Sequence, residues 1–205
     1  MPSTRFDELE RRVTELRSHL LPKAFDSMGE YDEIVYEHTR AFRVLAHAEF
    51  ESYIEDRCIE VVNEAFQQWV STGTVSTTLL AVVAYKETLH AIPGSLDEAS
   101  QKKKYPDLKA RVEAAKNDFN RHIRTKNNGI KEKNLLRMLM PLGFTEEEIN
   151  SAWLSTTETW AIARGDAAHK TAKMQVRPDP QHEWDTVKVI LQGFRDLDGQ
   201  MASKG

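Results

Sequence analysis

Apolar residues recur along most of this chain at intervals of three and four, the spacing that places them on one face of an α-helix. The strict alternation of apolar and polar residues that marks a half-buried strand is almost absent. Glycine and proline are sparse and fall mainly between the periodic stretches, where they act as helix ends. We therefore predict an all-α fold, a compact bundle of six or seven helices that forms a single domain over residues 1–205.

Capping residues and breakers set the ends of the predicted helices. Thr4 is a plausible N-cap for the first helix, and Pro22 ends it. The second helix is unusually long and stops before Gly73. A capping box at 145–148 opens the sixth helix, and Asp179 followed by Pro180 opens the last. The predicted helices cover about 4–21, 30–70, 75–91, 106–126, 131–140, a segment from 145 through Trp160, and a segment from 180 towards the end.

The long second helix carries a carboxylate on its apolar face. At about 100° per residue, Glu51 falls in the middle of the apolar cluster, with His47 and Glu55 at its edges. An ionised carboxylate in a core is costly unless it is paired, so Glu51 needs a cation or donor from another helix, and Arg164 is the natural candidate. Two structural alternatives remain: Glu51 extends past the helix edge, or it pairs with His47, one turn earlier on the same helix.

Composition narrows the classes of protein that fit. Hydrophobic residues make up 40% and charged residues 29% of the chain, as in an ordinary globular protein. No apolar run approaches the roughly 20 residues that span a bilayer, and the polar start lacks the apolar core of a signal peptide. Cys58 is the single cysteine, and neither a zinc-ligand spacing nor a phosphate-binding glycine loop is present. We expect a cytoplasmic protein with no membrane partner, no metal site and no cofactor.

Charge is distributed unevenly along the chain. Residues 101–137 hold twelve lysines and arginines and four acids, a net charge of +8, whereas the whole chain has −4. A positive lobe on an acidic body suggests a polyanion as partner, while a plain solvated surface helix explains the same pattern equally well. If the lobe binds RNA, the candidate contacts are Lys102, Lys103, Lys104, Arg121, Arg124 and Lys126.

The most specific candidate chemistry lies at 160–169, where an arginine and a histidine flank a glycine. Other Arg–His pairs lie inside continuous helices or, like Arg177 and His182, are interrupted by prolines. Only Arg164 and His169 lie at a predicted helix end, with Gly165 as the stop and Asp166 able to cap the next turn. A guanidinium that binds phosphate would then lie near an imidazole that moves protons near neutral pH, the minimal equipment for metal-free RNA cleavage.

A structural alternative fits the same residues. An arginine near a helix C-terminus is favoured by the helix dipole, and a glycine there is a simple stop signal. The tripeptide formed by Arg164, Gly165 and Asp166 also spells a cell-adhesion sequence, but with no secretion signal we regard that match as chance.

Two segments resemble the HEPN superfamily of all-α nucleotide-binding proteins and ribonucleases, and most of all its stand-alone bacterial RiboL-PSP HEPN members. Residues 44–56 resemble the early-helix pattern of that group, with a glutamate that faces inwards. Residues 164–170 match the Arg-x4–6-His signature of the superfamily, although many members have a polar residue, often asparagine, where this chain has Gly165. In outline the resemblance covers residues 35–200, and the basic segment 101–137 is then an elaboration of the common fold.

The resemblance implies a metal-independent endoribonuclease that acts as a homodimer and serves as a toxin or in antiphage defence, with an antitoxin or regulatory protein as a possible partner. It assigns His169 as the general acid or base and Arg164 as the group that stabilises charge on the phosphate. Glu51, Asp166 and His47 would support them. The alternatives are a non-catalytic HEPN-like module that binds RNA, nucleotides or a protein through the same cleft, and a purely structural helical dimer.

Overall fold

The computed structural model describes residues 2–86, 95–104, 106–169 and 177–204, apart from the side chains of 99 and 165–169. Within these ranges the chain is helical and contains no strand, so the predicted all-α class is confirmed. No helix in the described ranges is long and apolar enough to cross a membrane. The helices are α1 (Thr4–Leu20), α2 (Glu33–Thr72), α3 (Thr77–Ala84), α4 (Leu96–Ala99), α5 (Leu108–Lys126), α6 (Glu132–Leu139), α7 (Ser151–His169) and α8 (Pro180–Lys204), with 3₁₀ turns at Met140–Leu142 and Glu146–Glu148.

Helix α2 is the axis of the bundle. Its 40 residues span about 60 Å, and α1, α5, α7 and α8 all pack against it. Apolar side chains at helical spacing along α2, including Phe42, Phe50 and Ile54, are fully buried in the main core. The ring of Phe50 stacks on Phe194 of α8 at 5.2 Å and meets Trp160 of α7 edge-on. These aromatic contacts fix the positions of α7 and α8 relative to the middle of α2.

A smaller core lies at the far end of α2. Ala65 and Phe66 pack there against Leu79 of α3 and Val112 of α5. The basic segment packs on α2 through α5 and contributes to both cores, because Val112 belongs to the smaller one and Ala115 and Ile123 belong to the main one. The short α4, which the sequence pattern does not predict, precedes α5.

Several helix ends differ from the prediction. The N-cap of α1 is Ser3, whose hydroxyl accepts from the Phe6 amide. The capping box at Thr145 is present but opens a 3₁₀ turn, and α7 starts later, where Asn150 accepts from the Trp153 amide at 3.0 Å. Helix α3 ends at Ala84, earlier than predicted. The start of α8 is as predicted, with Asp179 accepting from the His182 amide at 2.6 Å.

The predicted stop at Gly165 is wrong, because α7 continues through this glycine to His169. A glycine inside a helix costs only about 1 kcal/mol relative to alanine, and the packing of α7 on α2 and α8 outweighs that local preference. Arg164 and His169 therefore belong to one continuous helix, and no separate turn follows the arginine. The side chains of His169 and Asp166 lie outside the described residues.

Candidate functional site

A polar cluster lies where the middle of α2 meets α7 and the loop that follows α5. His47, Glu51 and Glu55 occupy successive turns of α2 at a spacing of four, so they form one stripe along the helix. Arg164 approaches this stripe from α7, and the 127–131 loop approaches it from the end of α5. The cluster thus combines three elements that are distant in sequence.

His47 is held as a neutral imidazole. Its ring is 2% exposed and stacks on the Trp160 indole, with 5.8 Å between centroids and 23° between planes. Burial, together with the nearby charges of Arg164 and Lys131, lowers the pKa of His47 to about 4. At neutral pH the imidazole therefore carries no charge and does not compete with Arg164 for an anion.

Glu51 lies at the rim of the cluster, with its side chain 22% exposed. Burial raises the pKa of its carboxyl and the neighbouring Glu55 raises it further, while Arg164 and the Gly129 backbone act in the opposite direction without reversing the shift. Its Oε2 is 3.7 Å from Nδ1 of His47, which is too long for a hydrogen bond, and a neutral imidazole makes no ion pair. Of the partners considered from sequence, Arg164 is the one whose charge favours the ionised Glu51.

The charge of Arg164 lowers the pKa of both His47 and Glu51, yet part of its guanidinium has no hydrogen-bond partner. Its Nε is buried and has no hydrogen bond in the described part of the chain, and the same is true of Nδ1 of His47. Most buried polar atoms in proteins are paired, so two unpaired ones in one cluster require an explanation. An ordered water or a bound ligand would supply the partners that the described part of the chain does not provide.

The 127–131 loop closes one side of the cluster. Asn127 donates from Nδ2 to Oε1 of Glu55 at 2.7 Å and to the Gly129 carbonyl at 3.1 Å. Gly129 has φ +131°, a conformation that side-chain-bearing residues rarely adopt, and its Cα face lies against the His47 ring. The sequence analysis interprets Asn127 to Gly129 only as a helix end, because nothing in that tripeptide indicates packing on α2.

Trp160 is anchored from behind. Its Nε1 donates to Oε1 of Glu183 at 2.6 Å, and Glu183 is 2% exposed and paired with Arg43. The indole that stacks on His47 is therefore fixed by α8 as well as by α7. Periodicity places Trp160 on an apolar helix face, but it does not reveal this polar contact.

The six candidate RNA contacts do not form one patch. Lys102, Lys103 and Lys104 are exposed in the turn before α5, whereas Arg121, Arg124 and Lys126 are exposed near its end. The 19 residues of α5 separate its two ends by about 28 Å. Lys126 directly precedes Asn127, which contacts Glu55 of the polar cluster.

Comparison with known proteins identifies one family. The family model described as RiboL-PSP-HEPN matches residues 7–203, almost the full chain. No curated protein and no solved structure is significantly similar to the chain. Both segments that carry the resemblance in the sequence, 44–56 and 164–170, lie within the matched range.

Proposed function

The chain belongs to the RiboL-PSP-HEPN family, and from this premise we propose that it is a metal-independent endoribonuclease. In the proposed reaction the ribose 2′-hydroxyl attacks the adjacent phosphorus and the bond to the 5′-oxygen of the next nucleotide breaks. The products are a 2′,3′-cyclic phosphate and a 5′-hydroxyl. DNA, which lacks the 2′-hydroxyl, is not a substrate.

The observation that carries the proposal is the state of Arg164. Its guanidinium is partly buried beside a neutral imidazole, and its Nε is unpaired. Negative charge develops on the phosphoryl oxygens during attack, and a guanidinium donates two parallel hydrogen bonds to such oxygens. Arg164 would stabilise this charge, while Glu51 and the stacked His47 would hold the guanidinium in position.

The proposal assigns the proton transfers to His169. The imidazole of a histidine gains and loses protons near neutral pH, so His169 is suited to accept the 2′-hydroxyl proton or to donate one to the leaving 5′-oxygen. His47 cannot serve in its place, because its ring is enclosed and a pKa of about 4 makes it a weak base that is not protonated to act as an acid at neutral pH. Asp166 would support His169 from the same helix.

We extend the proposal to a homodimer. One imidazole cannot remove one proton and donate another in the same step, whereas the His169 residues of two protomers can share these roles. Light scattering of the purified protein should therefore give about twice the mass of the 23.5 kDa chain.

The cellular role that we propose is that of a toxin or an antiphage effector. A cell cannot restrain the activity of a metal-independent nuclease by limiting the supply of a metal cofactor. An antitoxin or regulatory protein that covers the site would provide that control.

The experiment is incubation of purified protein with total RNA in EDTA, followed by analysis of the new 3′ ends. The test variants are His169→Ala and Arg164→Ala. The matched controls are His182→Ala and Arg177→Ala, because this pair has the same spacing but Arg177 is exposed and salt-bridged to Glu33. We expect cyclic-phosphate ends from the wild type and both controls, and from neither test variant.

Each other outcome has a definite meaning. Cleavage that survives His169→Ala removes that residue from the mechanism. Salt-sensitive RNA binding with intact RNA in every sample would replace the proposal with the non-catalytic binding module.

A further inference from the structure

A cavity of about 730 Å³ lies between α3, α5, α6 and the 3₁₀ turn after α6. None of the residues of the polar cluster around Arg164 lines it. Its volume is within the range of about 300–1,000 Å³ that is typical of pockets for small molecules. It is therefore large enough to enclose one nucleotide.

The walls of the cavity are apolar and partly aromatic. Phe119 of α5 is half-buried, and Tyr85 beyond α3 is exposed at the opening. Leu136, Met140 and Pro141 complete the wall on the side of α6. A flat ring fits between such surfaces, since every nucleobase has a π-face that stacks on an aromatic side chain.

The rim of the cavity is positive. Lys126 and Arg137 are exposed there, and neither has an ion pair within the described part of the chain. The acid in the lining, Asp118, is neutralised by Lys86 at 2.8 Å and by Arg121 at 2.6 Å. Among the described residues that line the cavity, an anionic group at the rim would thus meet two cations without an ion pair and no unpaired carboxylate.

We propose that this cavity is a nucleotide subsite, with the base against Phe119 and the phosphate between Lys126 and Arg137. The inference rests on the proposed function in one respect: we take the bound nucleotide to be part of the RNA strand that is cleaved. Lys126 leads directly into the loop where Asn127 binds Glu55, so a strand anchored in the cavity would continue along this loop to Arg164.

The test measures binding without turnover. The full-length wild type is titrated with a short RNA whose 2′-positions are methylated, which blocks attack by the 2′-hydroxyl, and separately with AMP. The first test variant is Lys126→Ala with Arg137→Ala. Its matched control is Lys109→Ala with Lys133→Ala, which removes the same charge from exposed positions of α5 and α6 outside the cavity.

We expect the cavity variant to bind the methylated RNA at least about tenfold more weakly than the control variant does. Phe119→Leu should weaken it by a further factor of about ten, the usual effect of losing one stacked base. Circular dichroism of each variant identifies any that fail to fold. If Phe119→Leu does not fold, the cavity variant, Lys126→Ala with Arg137→Ala, still tests the subsite.

Equal affinity of the cavity and control variants would overturn the inference, even if the protein cleaves RNA. Loss of binding in the cavity variant supports it, even if no cleavage is found. If AMP binds as tightly as the methylated RNA, the ligand is a free nucleotide and the assignment to the strand is wrong.

Discussion

Two buried charged clusters lie along α2, and they differ in how completely their polar atoms are paired. In the first, Asp198 of α8 is 1% exposed and accepts four hydrogen bonds: two from Ser3, one from Tyr53 and one from Arg57, at 2.6–3.0 Å. Burial alone would raise the pKa of Asp198, but these hydrogen bonds outweigh it and the pKa is lowered. The charge is therefore more stable in the folded protein than in the unfolded chain.

The second cluster, around Arg164, is incomplete. It contains two of the five buried side-chain atoms that lack a hydrogen bond in the described part of the chain, Nε of Arg164 and Nδ1 of His47. The pKa of Glu51 is raised, so its ionised form is less stable in the folded protein than in the unfolded chain.

The difference indicates what each cluster is for. A fully paired network contributes stability and specificity, whereas natural proteins tolerate unpaired polar atoms mainly at sites that bind or react. On this basis the Asp198 cluster fastens the N-terminus and α8 to α2, and the Arg164 cluster is the one to which we assign a ligand in the proposed function. The four predictions that follow test this distinction.

The largest expected effect is on stability, from Asp198→Ala. The substitution leaves Arg57 and Tyr53 without their buried acceptor, so we expect the free energy of unfolding to fall by about 3 kcal/mol. Urea denaturation followed by circular dichroism measures it. Asp196→Ala is the control, because Asp196 is exposed on the same helix and should change stability by less than about 0.5 kcal/mol. Equal effects of the two substitutions would contradict the structural role of Asp198.

Arg164→Ala should show the opposite profile. Under the proposed mechanism, loss of this donor to the charge that develops on the phosphate should lower the cleavage rate by about 100- to 1,000-fold. The free energy of unfolding should change by less than about 1 kcal/mol, because Nε of Arg164 makes no hydrogen bond in the described part of the chain that the substitution would remove. Single-turnover cleavage rates and urea denaturation separate the two quantities. A large loss of stability with normal cleavage would make Arg164 a second structural arginine like Arg57.

The sequence identifies the members of the second cluster better than it identifies their environment. Helical periodicity places Glu51 on the inner face of α2, and the cost of an unpaired carboxylate there suggests Arg164 as the cation that pairs with it. It cannot reveal that the loop around Gly129 closes on His47 or that Glu183 anchors Trp160, since those contacts join residues distant in the chain. The wrong helix end at Gly165 has the same cause, because packing overrides a local stop signal.

The next effect is a pH dependence that His47 contributes. Its folded pKa of about 4 is below the ordinary value near 6.5, so the unfolded chain takes up the proton first as the pH falls. The stability contributed by neutral His47 is thus present above about pH 6.5 and is lost as the pH falls towards 4. Between pH 7 and pH 5 this amounts to about 2 kcal/mol.

Urea denaturation of the wild type and His47→Gln at the two pH values measures this contribution. The variant lacks the titrating group, so its free energy of unfolding should fall by about 2 kcal/mol less than that of the wild type over the same interval. Glu51, Lys131 and Arg164 remain in both proteins, so their own titrations largely cancel in the difference. Identical pH dependence would mean that His47 is not held neutral by the fold.

The smallest expected effect separates the two clusters most clearly. Replacing a carboxylate by its amide should change the free energy of unfolding in opposite directions in the two clusters. Glu51→Gln removes a carboxylate whose ionised form is disfavoured in the folded protein, so it should raise the free energy of unfolding at pH 7 by about 1 kcal/mol. Asp198→Asn removes a carboxylate whose pKa is lowered, and should reduce stability. Glu113→Gln, at an exposed position of α5 outside both clusters, controls for the loss of a negative charge. If Glu51→Gln stabilises the fold and also slows cleavage by about tenfold, the protein gives up stability to position Arg164. If it destabilises the fold as Asp198→Asn does, both clusters are structural and the distinction between them fails.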